Sequence, residues 1–344
     1  MRLICLCTFL LFAPLLLRAE RDSIPAGLIR LKFESLTDLL TVKLTHSTDI
    51  EEIEVNTPGT DIQLSPNSES ATRLGFSYRF ISFGFRFVPR FIEGNNDNAE
   101  KGKSRINGIN FNLNFRHLLQ ELSYNRVRGY YLENTKDFNP DWTPGKPYIQ
   151  FPDLVTTEFS GMTAWNFNYE FSVNAISTYS ERQVLSAGSF IPAIFYRYAV
   201  HDNKAAIEPG GYTQRSNSIE LLLGAGYHYN FVLKEKFYLA VGLTPAAGYV
   251  FNRITNRYTD HQEKGNQTNF IFRLDGRAGI GYNSRRFFAG IYTRMSAAAY
   301  RQQGTSVITQ NDNAILQITA GYRLNAPKWL RNTVQGIVSK AGFK

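Results

Sequence analysis

The feature that most constrains this sequence is a two-residue alternation of apolar and polar side chains, which recurs in short segments along most of the chain. Between Ile109 and Phe115, apolar residues occupy the odd positions, and Asn110, Asn112 and Asn114 occupy the even ones. Strict alternation predicts strands with one apolar face and one polar face. Asparagine does not suit the core of a soluble protein, but it suits a wet lumen opposite a lipid-facing row.

The alternation predicts about twelve strands, joined by connections that are short and long in turn. The predicted strands are 38–46, 71–79, 82–89, 107–116, 121–131, 167–178, 187–200, 217–231, 237–251, 268–282, 287–299 and 313–324. The short connections lie near residue 80 and at 117–120, 179–186, 232–236 and 283–286, and the long ones at 47–70, 90–106, 132–166, 201–216, 252–267 and 300–312. This pattern predicts an all-β fold: a transmembrane antiparallel up-and-down β-barrel with long extracellular loops and short periplasmic turns.

The apolar positions change parity near residue 80. A tight turn at 80–81 would pair Tyr78 with Phe83 and Phe76 with Phe85, which places both apolar rows on one face of the sheet. Phe-Ile is not a usual turn sequence, so a single bent strand with a bulge is the alternative.

The N-terminus predicts an exported protein. A positively charged start and an apolar run at 3–17 precede Ala19, and the run is too short to cross a bilayer as a helix. We therefore expect a cleaved signal peptide over 1–19 and a location in the cell outer membrane; a buried N-terminal helix is the alternative. Cys5 and Cys7 leave with the signal, which excludes disulfides and a cysteine-ligated metal from the mature chain.

The remaining chain divides into three predicted parts: a periplasmic segment at 20–37, the barrel at 38–324 and a periplasmic tail at 325–344. Apolar residues such as Leu330 and Val334 recur in the tail at helical spacing. They predict a short amphipathic helix on the inner leaflet, and a frayed or lumen-folded tail is the alternative. The net charge of +9 is interpreted as a surface or lumen property, because an exported chain is not expected to meet nucleic acid.

Three motifs occur in order along the chain: Leu-Ser-Pro-Asn at 64–67, Arg-Gly-Tyr-Tyr at 128–131 and Ser-Ala-Gly-Ser-Phe at 186–190. Through these motifs the sequence resembles a family of Gram-negative outer-membrane β-barrel proteins that carries a domain-of-unknown-function name. The resemblance extends roughly from Leu39 to Leu324. The resemblance implies the barrel and its compartment, and it brings no catalytic residues. The last predicted strand is similar to the C-terminal signal that barrel-assembly machinery reads, although a tail follows it.

The five histidines of the chain offer little catalytic chemistry. His228 is the best candidate for a lipid-modifying enzyme, which would need a nucleophile beside a histidine and an orienting polar partner. Its parity directs it inward, whereas outer-membrane phospholipases place their Ser-His pair on the lipid-facing side. We therefore expect a lumen histidine, no enzyme activity and no cofactor, and the histidine spacing predicts no metal site.

The clearest constellation is an excess of cations that parity directs away from lipid. These are Lys43, Arg73, Arg79, Arg86, Arg116, Arg197, Arg273, Arg277, Arg294 and Arg323. The acids placed inward are fewer, namely Glu170, Glu220 and Asp275. Either ion pairs fill the lumen, or the excess arginine selects small anionic solutes, because arginine binds carboxylates and phosphates in a bidentate manner.

Three hypotheses follow. The first is a small-solute channel, and the second is a closed structural or interaction barrel whose long loops bind lipopolysaccharide, glycan or a partner. The 132–166 loop, with Trp142 and Trp165, is the main candidate for such binding. The third is the lipid-modifying enzyme. About twelve strands lies between the eight that side chains fill and the sixteen that leave an aqueous channel. In every case outer-membrane lipid surrounds the chain.

Overall fold

The computed structural model describes residues 31–48, 52–57, 60–302 and 308–340, and the predicted signal peptide at 1–19 lies outside them. The strands are β1 Phe33–Ser35, β2 Leu39–Ser47, β3 Ile53–Thr57, β4 Thr60–Ser65, β5 Ala71–Tyr78, β6 Ile81–Phe87, β7 Arg105–Asn114, β8 Leu118–Leu132, β9 Gln150–Trp165, β10 Glu181–Gln183, β11 Ala187–Asn203, β12 Thr213–Leu233, β13 Phe237–Arg257, β14 Gln262–Asn283, β15 Phe287–Gln302 and β16 Ile308–Asn325. The helices are α1 Asn98–Lys101, α2 Thr135–Phe138 and α3 Lys328–Lys340.

Twelve of these strands close into an antiparallel barrel. Each barrel strand pairs with the next one along the chain, β8 pairs with β9, and β16 pairs with β2 to complete the circle. The predicted up-and-down topology is therefore confirmed. Short turns join the strands at the end of the barrel where β2 begins and β16 ends. Such turns are periplasmic in barrels of this type.

The outer face of the barrel carries an apolar band. In β13 the odd positions from Phe237 to Phe251 point outward and the even ones, such as Tyr238 and Ala240, are buried inside. Large apolar side chains exposed in this way are expected only where lipid replaces water as the solvent. Other members of the band are Leu44, Phe85, Ile109, Phe190, Leu223, Phe272, Ile280, Ile291, Met295, Leu316 and Ile318. No helix among the described residues is long and apolar enough to cross a membrane.

The turn between β5 and β6 lies one residue earlier than predicted. Arg79 and Phe80 form the turn, and Arg79 has a φ of 57°. Tyr78 therefore pairs with Ile81, and Phe76 with Phe83, so the predicted pairing was wrong by two residues although the two rows do share one face.

One predicted strand was wrong. Residues 167–178 are not part of the barrel wall, and β9 over Gln150–Trp165 takes that place in what was expected to be a long loop. The loop before β9 spans only 133–149 and contains Trp142, which packs at 4.6 Å on Tyr148. Trp165 instead ends β9 and stacks on His117 at 5.4 Å.

The extracellular end is covered by structure that was expected to be loop. Within the predicted 47–70 connection, β3 and β4 form a hairpin, and Leu64 of β4 pairs with Leu132 of β8. This hairpin borders a buried apolar cluster at that end. The cluster comprises Leu64, Ile106, Val127, Tyr130, Leu132 and Leu154.

The C-terminal helix α3 packs against the outside of the barrel near its periplasmic end. Val334 is buried with Tyr78 and Ala326, and Leu330 and Leu40 complete the contact. The neighbouring Trp329 stays exposed. Contact with the inner leaflet remains a prediction for this helix.

Replacing Val334 with aspartate should release α3, because it buries an unpaired charge at a cost of about 1–3 kcal/mol. The expected result is faster proteolytic loss of the tail from barrels in vesicles, with no change in heat-modifiable migration of the barrel. Thr333→Asp adds the same charge on the exposed side of the helix and is the control. Equal cleavage of both variants would contradict the packing role of Val334.

Candidate functional site

Residues 166–186, here called the plug, connect β9 to β11 and lie against inward-facing side chains at the periplasmic end of the barrel. The chain's first described strand joins it, since β1 pairs antiparallel with β10 of the plug. An ion pair of 2.6 Å between Arg182 and Glu34 supports this pairing. The predicted short turn at 179–186 is thus the end of a longer segment that occupies the lumen.

Arg323 anchors the plug to the wall. Its side chain is 0% exposed, and its Nε donates to the backbone oxygen of Tyr179 in the plug at 2.7 Å. Its Nη1 and Nη2 donate to the backbone oxygen of Ser284 at 2.5 Å and to Asn283 Oδ1 at 2.7 Å, and the guanidinium lies 4.8 Å from the centre of the Phe288 ring. Arg323 was predicted to point away from lipid into the lumen, and the structure places it in a fully occupied contact with the plug.

Further polar contacts hold the plug on several sides of the barrel. Thr41 of β2 and Ser77 of β5 donate to the backbone oxygens of Tyr179 and Thr178, at 3.4 and 3.2 Å. Similar bonds come from three asparagines on other strands. These are Asn114 to Asn174 Oδ1 at 2.9 Å, Asn230 to the oxygen of Ser172 at 3.3 Å, and Asn283 to the oxygen of Ala175 at 3.0 Å. The plug is therefore attached by hydrogen bonds to five or more strands rather than to one edge.

Apolar and aromatic packing completes the plug. Phe171 and Val173 are buried against Leu119, Ile191 and Ala193 of the wall, among others. At the plug's tip the hydroxyl of Tyr179 is 3.1 Å from that of Tyr238 and 2.5 Å from that of Tyr292. The tip is thus fixed by hydroxyl contacts while the body is fixed by apolar burial.

Arg116 lies at this same end of the barrel. Its guanidinium stacks over the rings of Phe33 and Tyr169 at 5.6 and 5.8 Å. Burial raises the pKa of the nearby Glu181 carboxyl, and the hydrogen bond from Ser172 and the charge of Arg116 oppose that shift. Arg116 therefore contacts the plug and does not line open space above it.

Above the plug, an ion-pair network connects five charges. Arg197 bridges Glu158 at 3.4 Å and Glu220 at 3.1 Å, and Arg273 bridges Glu220 and Asp275, both at 2.9 Å. Four of the predicted inward residues therefore form ion pairs with one another, as in the alternative in which ion pairs fill the lumen. Glu158 was missed because it lies in β9, the strand that the alternation pattern did not identify.

A second group of inward charges, here called the cation cluster, contains Lys43, Arg73, Arg277 and Arg294. Arg277 and Arg294 occupy directly opposite positions on β14 and β15. Lys43 interacts electrostatically with Arg73 and Arg294. The Glu121 carboxylate interacts electrostatically with both Lys43 and Arg277. Arg294 is exposed although it points inward, so unfilled space lies beside its side chain in the lumen. The cluster carries more positive than negative charge.

The remaining predicted residues are placed nearby. Arg86 is buried on β6, directly opposite Arg73 of β5. His228 is buried on β12, and its Nε2 lies 3.2 Å from Thr244 Oγ1. Glu170, expected on a barrel strand, lies in the plug and pairs with Lys32 at 2.7 Å.

The described residues contain no group of three or more His, Cys, Asp and Glu side chains that could hold a metal ion. The absence of enzyme activity remains a prediction. Lipid hydrolysis that disappears in a His228→Ala variant would contradict it.

Comparisons with known proteins give one family model and several distant structures. A family model described as a domain of unknown function, DUF4421, matches residues 33–324. The outer-membrane expressed OmpT of Vibrio cholerae is 12% identical, with a TM-score of 0.33 and coverage of 85% of this chain and 96% of that one. The outer membrane protease OmpT from Escherichia coli is 8% identical, with a TM-score of 0.30 and coverage of 85% and 94%. Ail, the attachment invasion locus protein of Yersinia pestis, is 10% identical, with a TM-score of 0.18 and coverage of 85% and 99%.

At TM-scores of 0.33 and below, these likenesses carry no conclusion about the fold or the activity of this chain. No curated protein matches the sequence.

Proposed function

We propose that this chain, which belongs to the DUF4421 family, is an outer-membrane barrel that passes small anionic solutes when its plug is displaced. The observation that carries the proposal is the contact between the cation cluster and the plug. The Nζ of Lys43 donates to the backbone oxygen of Ser177 in the plug, and the same ammonium belongs to the cation cluster. An anion that binds the cluster would compete with the plug for Lys43.

The way in which the plug is held supports displacement. Apart from the Arg323 anchor, most of its polar bonds to the wall come from neutral side chains such as Thr41, Ser77 and Asn230, and each of these exchanges for a bond to water at a modest net cost of about 1 kcal/mol. The cation cluster supports the proposal that the solute is anionic, because rings of arginine and lysine select anions in pores. An outer-membrane location is supported by the exposed apolar band and by the short turns at one end.

The decisive experiment is conductance in a planar bilayer under a salt gradient, with protein refolded from residue 20 onward. Asn114 of β7 donates to Asn174 Oδ1 in the plug at 2.9 Å, so these two side chains face each other, and an Asn114→Cys, Asn174→Cys pair is chosen to lock the plug onto the wall. Wild type should show discrete steps that prefer anions. The oxidised double variant should be silent and should recover on reduction, whereas Asn114→Cys alone should behave as wild type under both conditions.

Two results would overturn the proposal. One is conductance that persists in the oxidised double variant, because the plug would then not gate the lumen. The other is conductance whose ion preference is the same in wild type and in Arg294→Gln, since Arg294 is the solvent-exposed member of the cation cluster. Arg126→Gln, with the same charge change on the outer face, is the matched control.

A second candidate function is a closed interaction barrel whose extracellular surface binds a partner. The observation that favours it is the extracellular end, where the β3–β4 hairpin packs through Ile53 and Ile62 on the buried apolar cluster around Val127 and Tyr130 and is held in place. Wild-type and reduced double-variant barrels that are folded, heat-modifiable and electrically silent would favour this function over the pore.

A further inference from the structure

The outer face of β12–β14 changes from apolar to basic within a few residues. The last apolar row runs across Ile219 and Phe251, which are paired and both exposed. The next outward position on β13 is Arg253, flanked by asparagines on both neighbouring strands. The row beyond it contains Arg215 and Lys264, which pair with Thr255 from either side. All three cations are exposed.

The same order occurs on β7–β9, a separate part of the wall. Here the last outward apolar row contains Tyr124 and Phe159, which are paired and exposed. Arg126 is the next outward residue on β8, and Arg105 and Arg128 are directly paired in the row beyond. The same order therefore occurs twice, in unrelated stretches of sequence. In each case an apolar row with an aromatic residue is followed by one arginine and then by two further cations. We call these six cations the collar.

The acidic side chains close to the collar are already engaged. Asp153 pairs with Arg128 at 2.8 Å, and Asp202 pairs with Arg257 at 2.7 Å. Across the described ranges, Arg126, Arg253 and Lys264 take part in no ion pair within 4.0 Å. Their charge is therefore available to a ligand outside the protein.

We propose that the collar binds the phosphates of lipid A, the anchor of lipopolysaccharide, in the outer leaflet. Two residues along a strand advance about 7 Å, so Arg253 and Arg126 lie just above the apolar band, at the depth of lipid headgroups. Arginine binds phosphate in a bidentate manner, and the aromatic residues below it offer surface to acyl chains. On β13–β14 those aromatics are Tyr249, Phe251 and Phe270, with Tyr249 and Phe270 edge to face at 5.5 Å.

The proposal depends on the outer-membrane location and not on the conductance proposal, and its experiment does not involve ion flow. Wild-type barrel in zwitterionic detergent is titrated with bisphosphorylated lipid A, with lipid A stripped of phosphate, and with phosphatidylglycerol. Binding is followed by native mass spectrometry. The test variant is Arg253→Gln with Lys264→Gln. The control is Lys234→Gln with Lys236→Gln, which removes the same charge at the periplasmic turn of the β12–β13 hairpin.

We expect the test variant to bind bisphosphorylated lipid A at least tenfold more weakly than wild type, and the control variant to bind it as wild type does. Phosphate-free lipid A should bind weakly to all three proteins. Adding Arg126→Gln should lower the number of bound lipids further, because the second half of the collar is independent. Equal losses in the test and control variants, or equal affinity for phosphatidylglycerol and lipid A, would overturn the proposal.

Discussion

Replacing Arg323 with leucine is expected to lower the barrel's free energy of unfolding by about 3 kcal/mol and to release the plug. The wild-type guanidinium is fully buried and donates to the backbone oxygens of Tyr179 and Ser284 and to Asn283 Oδ1. Leucine leaves these acceptors without their donor, and hydrogen bonds to charged groups are worth more than neutral ones. The measurements are urea unfolding in vesicles and protease cleavage within 166–186.

The control for this variant is Arg285→Leu, which removes an exposed arginine from the adjoining periplasmic turn. Unfolding and cleavage should be unchanged in the control. Introducing Asn114→Cys and Asn174→Cys into Arg323→Leu should restore protease resistance when oxidised, because the cross-link replaces the lost anchor. A variant that keeps wild-type unfolding and cleavage would show that Arg323 does not hold the plug.

The lipid-facing rows could be predicted because they depend only on local alternation and on the surrounding solvent. Phe83, Phe85 and Ile109 were placed on apolar faces, and all three are exposed on the outside of the barrel. Such rows need no knowledge of long-range contacts, since lipid accepts any large apolar side chain in an outward position. The fold class therefore followed from the sequence, and the count of about twelve strands agrees because the wrongly assigned 167–178 took the place of β9 in it.

β9 was missed because several side chains on its outward face are small or polar. Gly161 lies there beneath the ring of Tyr196, which pairs with it from β11. Residues 167–178 of the plug were predicted as a barrel strand because Phe171 and Val173 alternate as strand residues do. In the structure these two side chains pack inside the barrel. Alternation shows that a segment has two faces, and it does not show whether the apolar face meets lipid or another part of the chain.

For the candidate site, parity directed the cations away from lipid but could not say what else occupies the lumen, and Arg79, one of these cations, lies in the β5–β6 turn. Arg116 and Arg323 were grouped with Arg273 and Arg294 by parity alone. The structure separates them, since the first two contact the plug and the last two lie above it. That distinction requires knowing that residues 166–186 return into the lumen, which no local pattern indicates.

Replacing Glu220 with alanine is expected to destabilise the barrel by about 3 kcal/mol, because Arg197 and Arg273 lose the acid that they share and keep only Glu158 and Asp275. Glu220 is 4% exposed and accepts bonds from both Arg197 and Arg273, so it is the central acid of the ion-pair network. Losing it also adds net positive charge to the lumen. The measurements are the urea midpoint in vesicles and, where current flows, the reversal potential, which should move toward greater anion preference.

The position of Glu220 in the network decides how large this effect is. Glu158 contacts only the outer side of Arg197, at 3.4 Å, so Glu158→Ala should cost much less although it removes the same charge. Replacing Arg273 with methionine in the Glu220→Ala background should recover part of the lost stability, because it removes one of the two cations that lose the acid they share. If Glu158→Ala and Glu220→Ala were equally destabilising, burial between two arginines would not be the cause, and the loss would reflect net charge alone.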